Sequence, residues 1–243
     1  MIRDWAKRFL PVIDNGVLVG IVTRINILNL TSTKSNLKVS DIMDEPPLLL
    51  TPDDDVIEAT KTMIKLDEWY AGVVKSKQDM GYLGVYSLEE FIKYYSRMGL
   101  KVLSEPVSKF MTSNVISLSP EEAVSSIWHK MLKYKYAGFP VVRKNGEVIG
   151  VVTQHDLIRY GFTRILRESE RSKVIKLVEA REIMTTPPVT VFESDKLSKV
   201  AMLMIERDIG RVIVVDFSYR LKGIIDREDL ARAYLGELTG KVI

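Results

Sequence analysis

The chain reads as an α+β protein made of four copies of one βαββα unit, the first of them incomplete. Three observations lead there. Residues 137–158, AGFPVVRKNGEVIGVVTQHDLI, spell strand, turn, strand and helix start, and the phrase returns as FLPVIDNGVLVGIVTRINIL, AGVVKSKQDMGYLGVYSLEEF and GRVIVVDFSYRLKGIIDREDL. Its second-strand glycine is Gly20, Gly84, Gly150 or Gly223. The gaps of 64, 66 and 73 residues are somewhat longer than the usual solenoid period but still mark one supersecondary unit copied along the chain. Finally, a heading that ends in Met43, Met111 or Met184 precedes a short apolar run in three of the copies.

Each element follows from its residues. Val141 and Val142 lead into Lys144-Asn145-Gly146-Glu147, and Val148, Ile149, Val151 and Val152 return. Asn-Gly between two apolar runs is the strongest short-range hairpin signal. Thr153 with an acid three residues later, Asp156, and then Leu157 and Ile158, predicts a helix start.

In chain order, repeat one spans 1–30 and lacks its opening strand and most of its first helix. Residues 1–10 are expected to be the end of that helix, and the hairpin turns at Asp14-Asn15-Gly16. A polar linker covers 31–36. Repeat two spans 39–98, with a strand at 48–50, a helix opened by Asp53, Asp54 and Asp55, and an apolar side of Ile57, Thr60, Met63 and Ile64. Repeat three spans 107–161, with a strand over 115–118. Ser119, Pro120, Glu121 and Glu122 then read as N-cap, first helical residue and acidic first turn. Repeat four spans 180–235, with a strand over 189–192, Ser194-Asp195, and then Leu197, Val200, Ala201 and Met204 at helical spacing. A charged helix over 163–177 is expected to be a solvated face.

Composition narrows the function classes. A net charge of +3 over 243 residues is too small to argue for nucleic acid. There are no cysteines, which removes disulfides and thiol chemistry and suits a reducing compartment. No apolar run approaches the roughly 18–20 residues that span a bilayer. These points predict a soluble, cytoplasmic protein without a membrane partner. G-x-S-x-G, a P-loop and H-E-x-x-H are all missing. His129 and His155, on different elements, make a poor metal site. The expectation is a protein that is not an enzyme and needs no cofactor.

A βαββα unit with an early Met, a later G-x-P and a closing G-h-h-T-x-x-D resembles the CBS domain, named for cystathionine β-synthase. The fullest set here is Met111, Gly138-Phe139-Pro140 and Gly150-Val151-Val152-Thr153-Gln154-His155-Asp156. Four copies resemble the gamma subunit of AMP-activated protein kinase and stand-alone archaeal proteins of similar build. The resemblance implies two Bateman modules, each pairing two repeats through their sheets, in a disc whose clefts bind AMP, ADP or ATP.

Ribose presents two adjacent hydroxyls, and an ionised carboxylate can accept both as charge-assisted bonds. Asp156 has that capacity, with Thr153 on the same side. The resemblance places the ligand between repeats three and four. Its slot there would be Val151 with Met184, Pro187, Val189, Ile209 and Gly210, and Arg211 would reach phosphate. A second, weaker site would use Asp226 and Asp229 with Asn114, Ile116, Tyr136, Ala137 and Gly138. There Asp226 replaces the threonine and would repel phosphate, so adenosine or a ligand of lower charge is expected. Thr23 with Asn26, and Ser87 with Glu90, rank below these. The plainer readings stand beside them: Thr153 and Asp156 as a helix cap alone, the methionines as packing residues, and Tyr94, Tyr95, Tyr134 and Tyr136 as core or interface. The expected function is an adenine-nucleotide sensor read by a regulated partner protein, with a second copy of the chain as a further candidate partner. The alternatives are a scaffold of repeats, or a site for another adenosyl ligand such as S-adenosylmethionine.

Overall fold

The computed structural model describes residues 7–30, 36–162 and 178–240. Residues 31–35 of the expected linker at 31–36, residues 1–6 of the expected helix end and the charged helix at 163–177 lie outside the described residues. Repeat one contributes β1 (Phe9–Asp14), β2 (Val17–Thr23) and α1 (Arg24–Leu28). Repeat two supplies β3 (Leu49–Leu50), α2 (Val56–Lys65), β4 (Tyr70–Val74), β5 (Tyr82–Ser87) and α3 (Leu88–Tyr95). Repeat three follows with α4 (Val124–Tyr134), β6 (Gly138–Val142), β7 (Val148–Thr153) and α5 (Gln154–Arg159). Repeat four adds α6 (Ala180–Ile183), β8 (Thr190–Phe192), α7 (Leu197–Glu206), β9 (Arg211–Val215), β10 (Leu221–Asp226) and α8 (Arg227–Thr239).

The hairpins form where the turn residues sit. Asn15 and Gly16 both take positive φ, 48° and 82°, and Gly146 takes 89°. These are the left-handed values that Asn and Gly tolerate best. In repeats two and four the first strand runs parallel to the second, Leu49 opposite Gly72 and Val191 opposite Val214, and the third is antiparallel.

Four local expectations change. Phe9 and Leu10 are strand, not helix. The strand at 115–118 shrinks to one bridge, Leu118 to Val141. Ser119 is not an N-cap: Glu122 N–H closes a turn on Ser119 C=O at 3.1 Å, and α4 begins five residues after Ser119, at Val124. The cause is long-range pairing. Ala123 bridges Glu179, Val124 N–H donates to Val178 C=O, and Ala180 N–H donates to Glu122 C=O, which holds Ala123 extended just ahead of the helix. Finally, Tyr94, Tyr134 and Tyr136 are exposed, which removes the core half of the core-or-interface reading for these three.

The chain divides into two compact units: Met1–Val12, Val19–Glu45 and Ile116–Pro188 in the first, and Ile13–Leu18, Pro46–Val115 and Val189–Ile243 in the second. In the first, α1 packs on α4 and α5, so the bodies of repeats one and three share a core of Leu28, Ile127, Trp128, Met131, Phe139, Val152 and Leu157. Trp128 Nε1 donates to Leu28 C=O at 3.2 Å. Burying a side chain such as Phe139 or Leu157 contributes roughly 1.5–3 kcal/mol. In the second, α3 packs on α8, and Met63, Leu88, Phe91, Val200, Val212, Leu230 and Tyr234 form the core. The Ser96 and Tyr234 hydroxyls meet at 2.7 Å, and Glu237 caps the Lys101 and Val102 N–H groups at 2.9 and 2.7 Å.

The headings are exchanged between repeats. Met43 of repeat two fills the space over Gly20 of repeat one, Met184 of repeat four that over Gly150, and Met111 of repeat three that over Gly223. A Cβ on any of the three glycines would lie 2.5–2.7 Å from the methionine sulfur. This explains both halves of the recurring motif: the glycine is required because the methionine packs there, which makes these methionines packing residues.

Candidate functional site

The first unit holds Thr153, Asp156, Val151, Met184 and Pro187, together with Ile116, Tyr136, Ala137 and Gly138. Strand β7 ends at Thr153, the N-cap of α5. Asp156 Oδ2 accepts from Thr153 N–H at 2.8 Å and from Thr153 Oγ1 at 2.7 Å. Asp156 N–H returns a bond to Thr153 Oγ1 at 3.3 Å. The capping reading is therefore realised, and it uses one carboxylate oxygen. The other, Oδ1, faces the Thr185 hydroxyl at 3.4 Å. Asp156 is only 5 % exposed, while Thr185, Thr186 and Pro187 are exposed.

The heading of repeat four brings Thr185 there. Val151 and Thr185 exchange backbone bonds at 3.1 and 2.9 Å, and Thr186 Oγ1 donates to Ile149 C=O at 2.9 Å. Val151 is thus paired with Thr185, whose hydroxyl faces Asp156, and Met184 just before it covers Gly150. Tyr136 and Ala137 also reach the start of α5, through their backbone: Tyr136 C=O accepts from Gln154 Nε2 and Ala137 C=O from Gln154 N–H.

The second unit holds Val189, Ile209, Gly210, Arg211, Asn114, Asp226 and Asp229. Arg211 lies 3.7 Å from Asp226, its guanidinium 5.0 Å from the centre of the Trp69 ring. Gly210 lies against that ring, where an added Cβ would come within 2.6 Å. Asp226 caps α8 and accepts from Glu228 N–H at 2.9 Å and Asp229 N–H at 3.2 Å, while Asp229 Oδ2 accepts from Asp226 N–H at 3.0 Å. Burial first, and the Asp226 carboxylate second, push Asp229 up to about 7. Burial likewise raises Glu228.

One recurrent group escaped sequence reasoning: the residue just after the cap in repeats one, three and four, where repeat two has the apolar Leu88. Arg24 Nε donates to Lys7 C=O at 3.2 Å and Gln154 Nε2 to Tyr136 C=O at 3.1 Å. Arg227, 1 % exposed, meets Asp208 at 3.2 Å, Glu89 at 3.0 Å and the Tyr70 hydroxyl at 3.4 Å. All three side chains are buried and tie the helix start to a neighbouring loop. The signal was available: a long polar residue where a buried helix would carry an apolar one. Among the described residues no group of three or more His, Asp or Glu could hold a metal, and no helix is long and apolar enough to cross a membrane.

Comparison with known proteins agrees with this architecture. A family model described as the CBS domain matches residues 39–97, 107–162 and 180–236. The protein MJ1225 of Methanocaldococcus jannaschii is 26 % identical over 249 residues, covering 93 % of this chain and 87 % of that one. Its crystal structure, presented as that of a candidate archaeal homologue of γ-AMPK, superposes with a TM-score of 0.82 at 25 % identity, over 96 % of this chain and 90 % of the other. A conserved protein from Pyrococcus horikoshii shares the fold, with a TM-score of 0.67 at 21 % identity over 93 % and 91 % of the two chains. Likeness to an enzyme, the L-aspartate semialdehyde sulfurtransferase of M. jannaschii, is 29 % over 121 residues, half of this chain and 22 % of the enzyme.

Proposed function

Because the chain belongs to the CBS domain family, we propose that it is a non-enzymatic regulatory protein that binds an adenine nucleotide, AMP, ADP or ATP, at the start of α5. The observation that carries this reading is the disposition of Asp156. Its Oδ2 is spent on the cap and holds the side chain in one rotamer, while Oδ1 faces an exposed threonine that can give way to a ligand hydroxyl. A carboxylate fixed in this way accepts from vicinal hydroxyls at a small entropic cost. Val151, Met184 and Pro187 would supply apolar contact beside it. A partner protein would read the difference between free and bound forms, which requires the ligand to prefer one of them.

Calorimetric titration and thermal shift with each nucleotide test this. At a ligand concentration 100 times Kd, one site stabilises by about 2.7 kcal/mol. The Asp156→Ala variant, compared with its own ligand-free melting point, should lose most of the shift from this site. No heat and no shift at millimolar nucleotide would reject the proposal.

A second reading has its own observation. Asp226, Glu228 and Asp229 crowd the start of α8, which disfavours phosphate there. For the second unit this favours an adenosyl ligand without phosphate, such as adenosine or S-adenosylmethionine. Mass spectrometry of ligand released from denatured protein distinguishes the cases, and an empty protein would favour a scaffold.

A further inference from the structure

Repeat one carries Asn26 where repeat three carries Asp156, and on that ground it ranks low as a site. The geometry around Asn26 changes this. Its Oδ1 accepts from Thr23 N–H at 2.7 Å and Thr23 Oγ1 at 2.8 Å. These match the two bonds that Asp156 Oδ2 takes from Thr153. The other arm of each side chain faces the residue after a repeat methionine. In repeat three that arm is an acceptor, Asp156 Oδ1, opposite a hydroxyl, Thr185. In repeat one it is a donor, Asn26 Nδ2, which gives its hydrogen to Asp44 Oδ2 at 2.7 Å. The amide orientation is not arbitrary: Thr23 N–H can only donate and the Asp44 carboxylate can only accept.

Asp44 and Thr185 occupy equivalent places. Each follows its methionine, Met43 over Gly20 or Met184 over Gly150, and each bridges the residue just after that glycine, Ile21 or Val151. The carboxylate has crossed from one side of the pair to the other, and the donor has moved in the opposite direction. One carboxylate is present in both copies.

We infer that Asp44 is the diol-binding carboxylate of repeat one, so that the first unit offers two sites for the vicinal hydroxyls of a nucleoside, one on Asp156 and one on Asp44. This inference rests on the reading of Asp156 as a ribose acid. Asp44 is exposed, and the bond from Asn26 falls on its Oδ2. Asn26 orients the carboxylate through Oδ2 and leaves Oδ1 to a ligand.

The test uses the full chain and two probes, AMP and 2′-deoxy-AMP. In the Asp156→Asn/Asp229→Asn background, AMP should still bind, and more tightly than the deoxy form by roughly tenfold or more, as expected for one lost bond to a charged acceptor. Adding Asp44→Asn should abolish that binding. Adding instead the exchange Asn26→Asp/Asp44→Asn, which recreates the order found in repeat three, should restore it and shows that the site, not the fold, was lost. If the background variant binds no AMP while the natural chain does, Asp44 is only a partner for Asn26 and the inference is wrong, with the Asp156 reading intact. Equal affinity for both probes in the background overturns it as well. If the natural chain binds neither probe, the parent reading falls and takes this one with it.

Discussion

The start of α5 in the first unit and the start of α8 in the second are one turn with two chemistries. In both, the third helical residue returns a carboxylate to the cap N–H, at 2.8 Å in one and 3.0 Å in the other. In both, the residue after the cap is a buried polar side chain, Gln154 or Arg227. The cap itself differs. Thr153 adds a hydroxyl donor to the acid beside it, whereas Asp226 adds a second acid. Asp229 therefore has a like charge next to it in a buried place and holds a proton up to about pH 7. A change of cap leaves the backbone in place and alters the charge that the turn presents.

The largest effect that should separate the two turns comes from the buried pair. Arg227→Ala should destabilise by about 3 kcal/mol in denaturant unfolding, the low end for a broken buried ion pair because Glu89 and Asp208 still reach water. Gln154→Ala, at the matching position, loses one neutral bond and should cost only about 1 kcal/mol. Equal losses would show that Arg227 is not the anchor of its turn.

Next in size is the response to pH. The pKa of Asp229 is raised on folding, so its contribution to stability is complete below about pH 4 and is lost as pH climbs to about 7. Asp229→Asn should therefore be more stable than the natural chain at pH 8, by about 1 kcal/mol or more, and show no gain at pH 4. Asp226→Thr, which rebuilds the α5 arrangement, should lower the Asp229 midpoint towards the ordinary carboxylate range. A midpoint that stays near 7 in this variant would mean that burial alone sets it.

The smallest effect is on the backbone. Repeats two, three and four leave their first helix through Asp67, Lys135 and Asp208, all at positive φ. Lysine tolerates this worst. Lys135→Gly should raise stability by up to about 1 kcal/mol, the steric relief being partly offset by the added freedom of the unfolded chain. A loss of stability would show that the Lys135 side chain is held by more than its backbone.

Legibility in the sequence tracked distance along the chain. Thr153 and Asp156 were readable because a cap and its acid are three residues apart. The hairpin at Asn145-Gly146 needed only its own residues. Ser119-Pro120 misled, since the Pro120 and Glu122 carbonyls and the Val124 N–H, which a helix there would pair internally, are engaged by residues 178–181, far along the chain. Asp44 was unreadable as a partner of Asn26: nothing local ties the two, and the contact depends on Met43 settling over Gly20.

By itself, the order of residues determined the repeated unit, its turns, and the acids at the helix starts, because strand alternation, turn geometry and capping are satisfied within a few residues. The tertiary structure alone decided which heading covers which glycine and on which side of each pair the carboxylate stands. Those outcomes depend on backbone groups and cavities left open by one repeat and filled by another, and no local pattern encodes which pieces of the chain will meet.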